Sequence, residues 1–149
     1  MIETTAETTS APAEVVERFL RGFAAGDAET AISLLAEDIV YENVSLPTIR
    51  GRRAVEQGAA KFFQRGLGFE VAIHRIAAEG TTVITERTDA LTWGRFRSQF
   101  WVCGVFEVRD GQITLWRDYF DWANVTVATL RGVAAMLVPS LQSRMPVSI

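Results

Sequence analysis

Arg87 and Asp89 lie in Thr85-Glu86-Arg87-Thr88-Asp89, a stretch that otherwise reads as a strand. Side chains alternate across a strand, so this Arg and Asp point to one face, with Thr85 and Leu91. On a later stretch Asp118 shares its face with Thr114, Trp116 and Phe120. On an earlier one Tyr41 and Asn43 share a face with Ile39. Each set mixes polar groups with bulky apolar ones, and a charge among such neighbours is costly unless it is paired. One arrangement satisfies them all: a concave face with Arg87 between Asp89 and Asp118. A guanidinium is a planar fork of donors that can bridge two acids. Two carboxylates near one cation need not titrate alike. One can stay ionised while the other holds a proton near neutral pH. That places an acid and a base in one pocket, where Tyr41 and Asn43 can hold a water against the base. The competing reading is a surface ion pair, worth about 0–1 kcal/mol. Spacing alone leaves both open.

Composition narrows the chemistry. The chain has 149 residues, 48% of them hydrophobic, with 15 basic against 18 acidic and a formal net charge of −3. That size suits one domain. Duplex-binding proteins usually carry a basic excess to neutralise phosphate, so no nucleic-acid partner is expected. One Cys and one His cannot build a disulfide framework or the usual zinc ligand set. If catalysis proceeds without an organic cofactor, carboxylates must handle the protons. Glu86 and Arg117 have the opposite parity to the central charges and read as solvent-facing. His74 reads as a surface or satisfied histidine, sharing a face with Glu70, Ala72 and Ile76. Cys103 reads as a small core residue, and Phe100, Trp101 and Phe106 as core aromatics. Gly66-Leu67-Gly68 precedes a strand, which excludes a phosphate loop, and there is no G-x-S-x-G nucleophile elbow.

The elements that must position these residues follow from periodicity. Residues 1–9 carry Thr, Glu and Ala with little to bury and read as disordered, ahead of a single domain over 10–149. Val15, Val16, Phe19, Leu20 and Phe23 fall at helical spacing after Ser10 and Pro12, and Gly26 is a plausible stop. Asp27 can cap a second helix through Ala31, Ile32, Leu34 and Leu35. Ile39 to Val44 reads as a strand broken by Leu46-Pro47, and Arg52 to Arg65 as a helix. Four strands follow: Phe69–Ile76, Thr81–Leu91, Phe96–Val108 and Gln112–Phe120, the last two joined by the hairpin signal Asp110-Gly111. Trp122 to Val138 reads as a closing helix, ended by Pro139. This order is α+β, not alternating βαβ. Strands curving around a helical layer leave a concave apolar pocket suited to a small molecule.

No segment reads as an anchor. Met1 to Ser10 is polar and acidic, without the cationic start and apolar run of a secretory signal. Val125 to Val138 is too short and too interrupted for a membrane span. A cytoplasmic protein with no membrane span is expected, and the sequons at Asn43 and Asn124 then read as coincidence.

The motifs Tyr41-Glu42-Asn43, Thr85-Glu86-Arg87-Thr88-Asp89 and Trp116-Arg117-Asp118-Tyr119-Phe120-Asp121 resemble the limonene-1,2-epoxide hydrolase family. Phe100-Trp101-Val102-Cys103-Gly104-Val105-Phe106-Glu107-Val108 extends the likeness toward its mycobacterial members. The order and spacing match over about residues 14–122. The resemblance implies a cone of the nuclear-transport-factor-2-like type, with a curved mixed sheet packed on N-terminal helices and a C-terminal helix. It implies a homodimer, and a one-step hydrolysis of an epoxide by water with no metal, cofactor or covalent intermediate. Carried over motif by motif, Asp118 is the base, Asp89 the acid and Arg87 the bridge, while Tyr41 and Asn43 help hold the water.

For the apolar wall, Leu91 and Phe120 have the same parity as the acids on their strands, and Phe100 and Val102 share a face. Phe23, Phe62, Val125 and Val133 are further candidates to close the pocket. The expected substrate is a lipophilic epoxide, terpenoid, cyclic or sterol-like, giving a trans diol. An isomerase or cyclase on the same fold and a non-enzymatic carrier of lipophilic ligands are the alternatives.

Overall fold

The computed structural model describes residues 11–149. The expected disorder of residues 1–9, and Ser10 at the first helix start, lie outside the described residues. Helix α1 (Pro12–Ala24) starts with Pro in its first turn and buries Val15, Val16, Phe19 and Leu20. Helix α2 (Ala28–Ser33) is capped by Asp27, whose side chain accepts from the Thr30 amide at 3.1 Å. Strands β1 (Leu35–Asn43) and β2 (Ile49–Arg50) lead into helix α3 (Arg52–Gln64). Then come β3 (Leu67–Glu79), β4 (Thr82–Trp93), β5 (Phe96–Arg109) and β6 (Gln112–Phe120). Helix α4 (Trp122–Leu137), capped by Asp121, and a short 3₁₀ turn (Pro139–Leu141) follow. No described helix is long and apolar enough to cross a membrane.

The strands form one six-stranded sheet in the order β2-β1-β6-β5-β4-β3. All neighbours are antiparallel except β1 and β6, which run parallel, so the sheet is mixed as expected. That parallel pair sets Tyr41 beside Trp116 and Asn43 beside Asp118. Next to it, Asp118 opposes Gly104, and Gly104 opposes Thr85. The concave face thus gathers the early, middle and late motifs into one row. Helices α1–α3 pack over this face, where Phe19, Leu20, Leu35, Ile39, Ile73, Val83, Phe106 and Ile113 are essentially dry.

The closing helix has a specific seat. Strand β6 pairs with β5 only from Val102 onward, which leaves the Phe96–Trp101 edge of β5 open. Helix α4 covers that edge. Asn124 Oδ1 accepts from the Trp101 amide at 2.9 Å, and Ser98 Oγ lies 3.1 Å from Thr129 Oγ1. Gly132 is required where the two elements touch: a Cβ there would collide with the Arg97 carbonyl.

Several expectations need correction. Leu34 and Leu35 are not helical. The Leu34 carbonyl accepts from the Ile113 amide at 2.8 Å, and Leu35 begins β1 opposite Ile113, so sheet pairing overrides the helical spacing. The two-residue strand β2 was not expected. His74 is the extra residue of a bulge between Ile73 and Arg75. The bulge shifts the alternation, so Ile73 and Ile76 both join the core while His74 bonds Thr88 Oγ1 at 2.8 Å. Cys103 and Trp101 are not core residues. They lie on the convex face, Cys103 half-buried and Trp101 exposed. Glu86 and Arg117 are outward, paired with Arg75 and Glu42 respectively.

Candidate active site

Arg87 is the largest fully buried side chain among the described residues, with 0% exposure. A cation there must be matched. Its Nε donates to Asp89 Oδ1 at 2.9 Å and Oδ2 at 3.2 Å, and its Nη2 to Asp89 Oδ2 at 3.1 Å. The same Nη2 lies 2.7 Å from Asp118 Oδ2. Nη1 donates to Thr85 Oγ1 at 3.1 Å, and the Phe106 ring lies 6.0 Å from the guanidinium carbon. The surface-ion-pair reading therefore fails on burial, since both carboxylates are buried as well.

The two acids have different surroundings. Burial pushes the Asp89 carboxyl up to about 6, against the opposing pull of Arg87, with Asp118 adding to the rise. Burial also works to deprotonate Arg87, but the two carboxylates outweigh it and hold the guanidinium above its ordinary range. Asp118 Oδ2 takes a second donor, Trp116 Nε1, at 2.9 Å. Asp118 Oδ1 is buried with no hydrogen-bond partner among the described residues. A carboxylate oxygen so placed is a basic atom ready for a donor.

Asn43 pairs with Asp118, and Tyr41 with Trp116, across the β1–β6 register. Asn43 Nδ2 donates to Tyr41 Oη at 2.8 Å, which leaves the tyrosyl proton to point elsewhere. Burial, then the Asp118 charge, pushes the Tyr41 hydroxyl up to about 12, so it stays neutral. Its ring stacks on Trp116 with centroids 3.8 Å apart.

Asp89, Asp118, Tyr41 and Asn43 all line a cavity of about 660 Å³ whose remaining wall is mainly apolar. Arg87 lies behind the carboxylates and does not line it. Of the expected wall residues, Phe23, Phe62, Leu91, Phe100, Phe120 and Val125 face the cavity. Val102 does not. It opposes Arg87 in the sheet and is fully buried with Phe100 and Ala128 beneath α4, so it supports the wall from behind. Val133 is half exposed on the outer side of α4. Trp116, Thr85 and Gly104 belong to the site and were not singled out from sequence. Trp116 and Thr85 share the parity of the acids, which is a usable signal. Gly104 is a strand-interior glycine, which often marks a close approach.

The fold is that of NTF2-like proteins: an NTF2-like protein from Burkholderia pseudomallei K96243 superposes with a TM-score of 0.69 at 16% identity, covering 80% of this chain and 98% of that one. The limonene-1,2-epoxide hydrolase catalytic domain matches residues 10–131. Epoxide hydrolase EphG of Mycobacterium tuberculosis is 52% identical over 128 residues, spanning 86% of this chain and 85% of that protein. The structure of an M. tuberculosis LEH-like epoxide hydrolase superposes with a TM-score of 0.87 at 50% identity, covering 90% of this chain and 95% of that one. The chain belongs to the limonene-1,2-epoxide hydrolase family and is an epoxide hydrolase of that type. Membership favours hydrolysis over the isomerase, cyclase and carrier alternatives.

Proposed function

We propose that the protein converts a lipophilic epoxide to a trans diol by direct attack of water. The observation that carries this reading is the Asp89–Arg87–Asp118 chain at the wall of an apolar cavity, with one oxygen of Asp118 left unpartnered among the described residues. A water held by the Tyr41 hydroxyl and the Asn43 amide would face Asp118 Oδ1. As the water oxygen bonds to an epoxide carbon, its proton passes to Asp118 and the carbon–oxygen bond on the far side breaks. Asp89, protonated, gives its proton to the departing oxygen. Attack opposite the leaving oxygen makes the diol trans. The proton then returns from Asp118 to Asp89 past Arg87 or through solvent. Each positioned acid or base typically contributes about 10²–10⁴-fold, and holding the water adds an orientation term.

The wall of phenylalanine and leucine side chains supports a lipophilic substrate, because it offers nothing to replace the hydration of a polar one. We also infer a homodimer, supported by the exposed apolar residues Ile84, Trp101 and Tyr119 on the convex face. The test of the reaction is turnover of limonene oxide, cyclohexene oxide and a bulky sterol epoxide in ¹⁸O-labelled water. Label in a trans diol from the first turnover, with none retained by the protein, is the expected result. Label first appearing in the protein would mean a covalent intermediate and would overturn the reading.

A further inference from the structure

We infer that Thr85 and Gly104 are positioning residues that set the orientation of the Arg87 guanidinium between the two acids. This rests on the reading that Asp89 and Asp118 are the acid and the base.

The inference starts from the donors of Arg87. Its Nε and Nη2 edges are committed to the two carboxylates. The Nη1 edge points away from them, toward the back of the site. Its protein acceptor there is the Thr85 hydroxyl, on a residue with 0% exposure. A guanidinium is planar and its donors are rigidly spaced. Anchoring Nη1 at the back therefore fixes where Nε and Nη2 meet the acids at the front. Without that anchor, the plane can tilt out of its forked contact with Asp89, which depends on the plane more than the single contact with Asp118 does.

Gly104 supplies the room. It lies directly between Thr85 and Asp118 in the sheet register. A Cβ at this position would overlap Arg87 Nη1 and stand 2.9 Å from both Thr85 Oγ1 and Phe106 Cε2. The guanidinium thus occupies the volume that a side chain on β5 would fill. Its φ is not in the left-handed region, so backbone strain does not account for the glycine. Close approach does.

The groups that face Asp89 are Arg87 on its own strand, Asp118 on β6 and Tyr41 on β1. Of these, Arg87 is the one that favours the ionised carboxylate. A guanidinium that loses its rear anchor grips Asp89 less well, and Asp89 then holds its proton to higher pH.

The experiment compares Thr85→Val, Thr85→Ser and Gly104→Ala with wild type, with Asp89→Asn and Asp118→Asn in the same series. Valine keeps the shape and removes the acceptor, whereas serine keeps the acceptor. Thr85→Val is expected to lower kcat about tenfold or more, the scale for a buried donor of a charged group left unpaired, with little change in KM. The basic limb of its pH–rate profile should move to higher pH. Thr85→Ser should recover most of the rate and restore the limb. Gly104→Ala should shift the limb in the same direction if it folds, and the Thr85 pair carries the test if it does not. A Thr85→Val enzyme with the wild-type kcat and limb would overturn the inference, as would a Thr85→Ser enzyme equally impaired. Turnover surviving in Asp118→Asn or Asp89→Asn would instead overturn the acid and base assignment, which separates the two failures.

Discussion

Three buried ionisable groups share one small volume, and the proposed acid–base chemistry draws on their imbalance. Arg87 lies between two carboxylates, so the cluster has one more acid than base. Burial disfavours that excess negative charge, and the Asp89 carboxyl rises to about 6 despite its contacts with Arg87. The sign has two consequences. For stability, a carboxyl raised above its unfolded value of 3.8 contributes most below that value. The contribution is lost as pH rises through about 6. For catalysis, the acid must carry its proton. Above about 6 the protonated fraction falls tenfold per pH unit, so kcat/KM should fall on the basic side with an apparent pKa near that value. Initial rates across pH with a single soluble epoxide check this. A rate that keeps rising to pH 9 would remove Asp89 from the role of acid. Tyr41 adds no limb of its own to this profile, because its hydroxyl, pushed up to about 12, keeps its proton throughout the range.

At the scale of elements, the parallel pairing of β1 and β6 and the seat of α4 decide what the charges can do. Alternation within a strand was enough to bring Arg87 to the side of Asp89, and Tyr41 to that of Asn43. Which strands lie side by side was not legible in that way. The β1–β6 pairing that sets Asn43 beside Asp118 joins residues far apart in sequence, and no local pattern encodes it. The bulge at His74 was equally hidden, because one inserted residue reverses the parity of everything after it. Val102 shows the limit of parity from another side. It has the correct face, yet the neighbouring Phe100 and Ala128 close over it. Val125 was expected to help close the pocket, but the seat of α4 came from the structure alone. The helix covers the free edge of β5 and brings Val125 and Thr129 to the cavity. Its contact point gives a prediction. Gly132→Val places a branched side chain against the Arg97 carbonyl, and overpacking of this kind costs about 1–3 kcal/mol. A Tm lower by roughly 3–10 °C is expected for a chain of this size. KM should rise more for a bulky epoxide than for cyclohexene oxide, because the displaced helix carries part of the wall. An unchanged Tm would mean that α4 is not held at this point.

At the scale of the whole molecule, one face of the sheet is committed to the core and cavity while the other is left with apolar groups in water. Ile84, Trp101 and Tyr119 are 53%, 44% and 43% exposed on the convex side. The register places them within three neighbouring strands, with Val105 and Cys103 between them. Pairs of opposite charge border the patch, Arg75 with Glu86 and Glu42 with Arg117. An apolar centre with a charged rim is the usual anatomy of an interface. A two-fold partner would present the same patch in return, so one substitution acts twice across the interface. Ile84→Glu puts two carboxylates into that centre and should convert a dimer to a 16.5 kDa monomer in sedimentation at low micromolar concentration. Helix α4 offers a rival surface, with Leu130 at 65% and Leu137 at 85% exposure. Leu137→Glu is therefore the control and should leave the dimer intact. If Leu137→Glu dissociates the protein and Ile84→Glu does not, the copies meet through α4. The helix that walls the cavity would then be held in place by the partner, and substrate selectivity would depend on protein concentration. If wild type sediments as a monomer, the convex patch is not a surface of self-association.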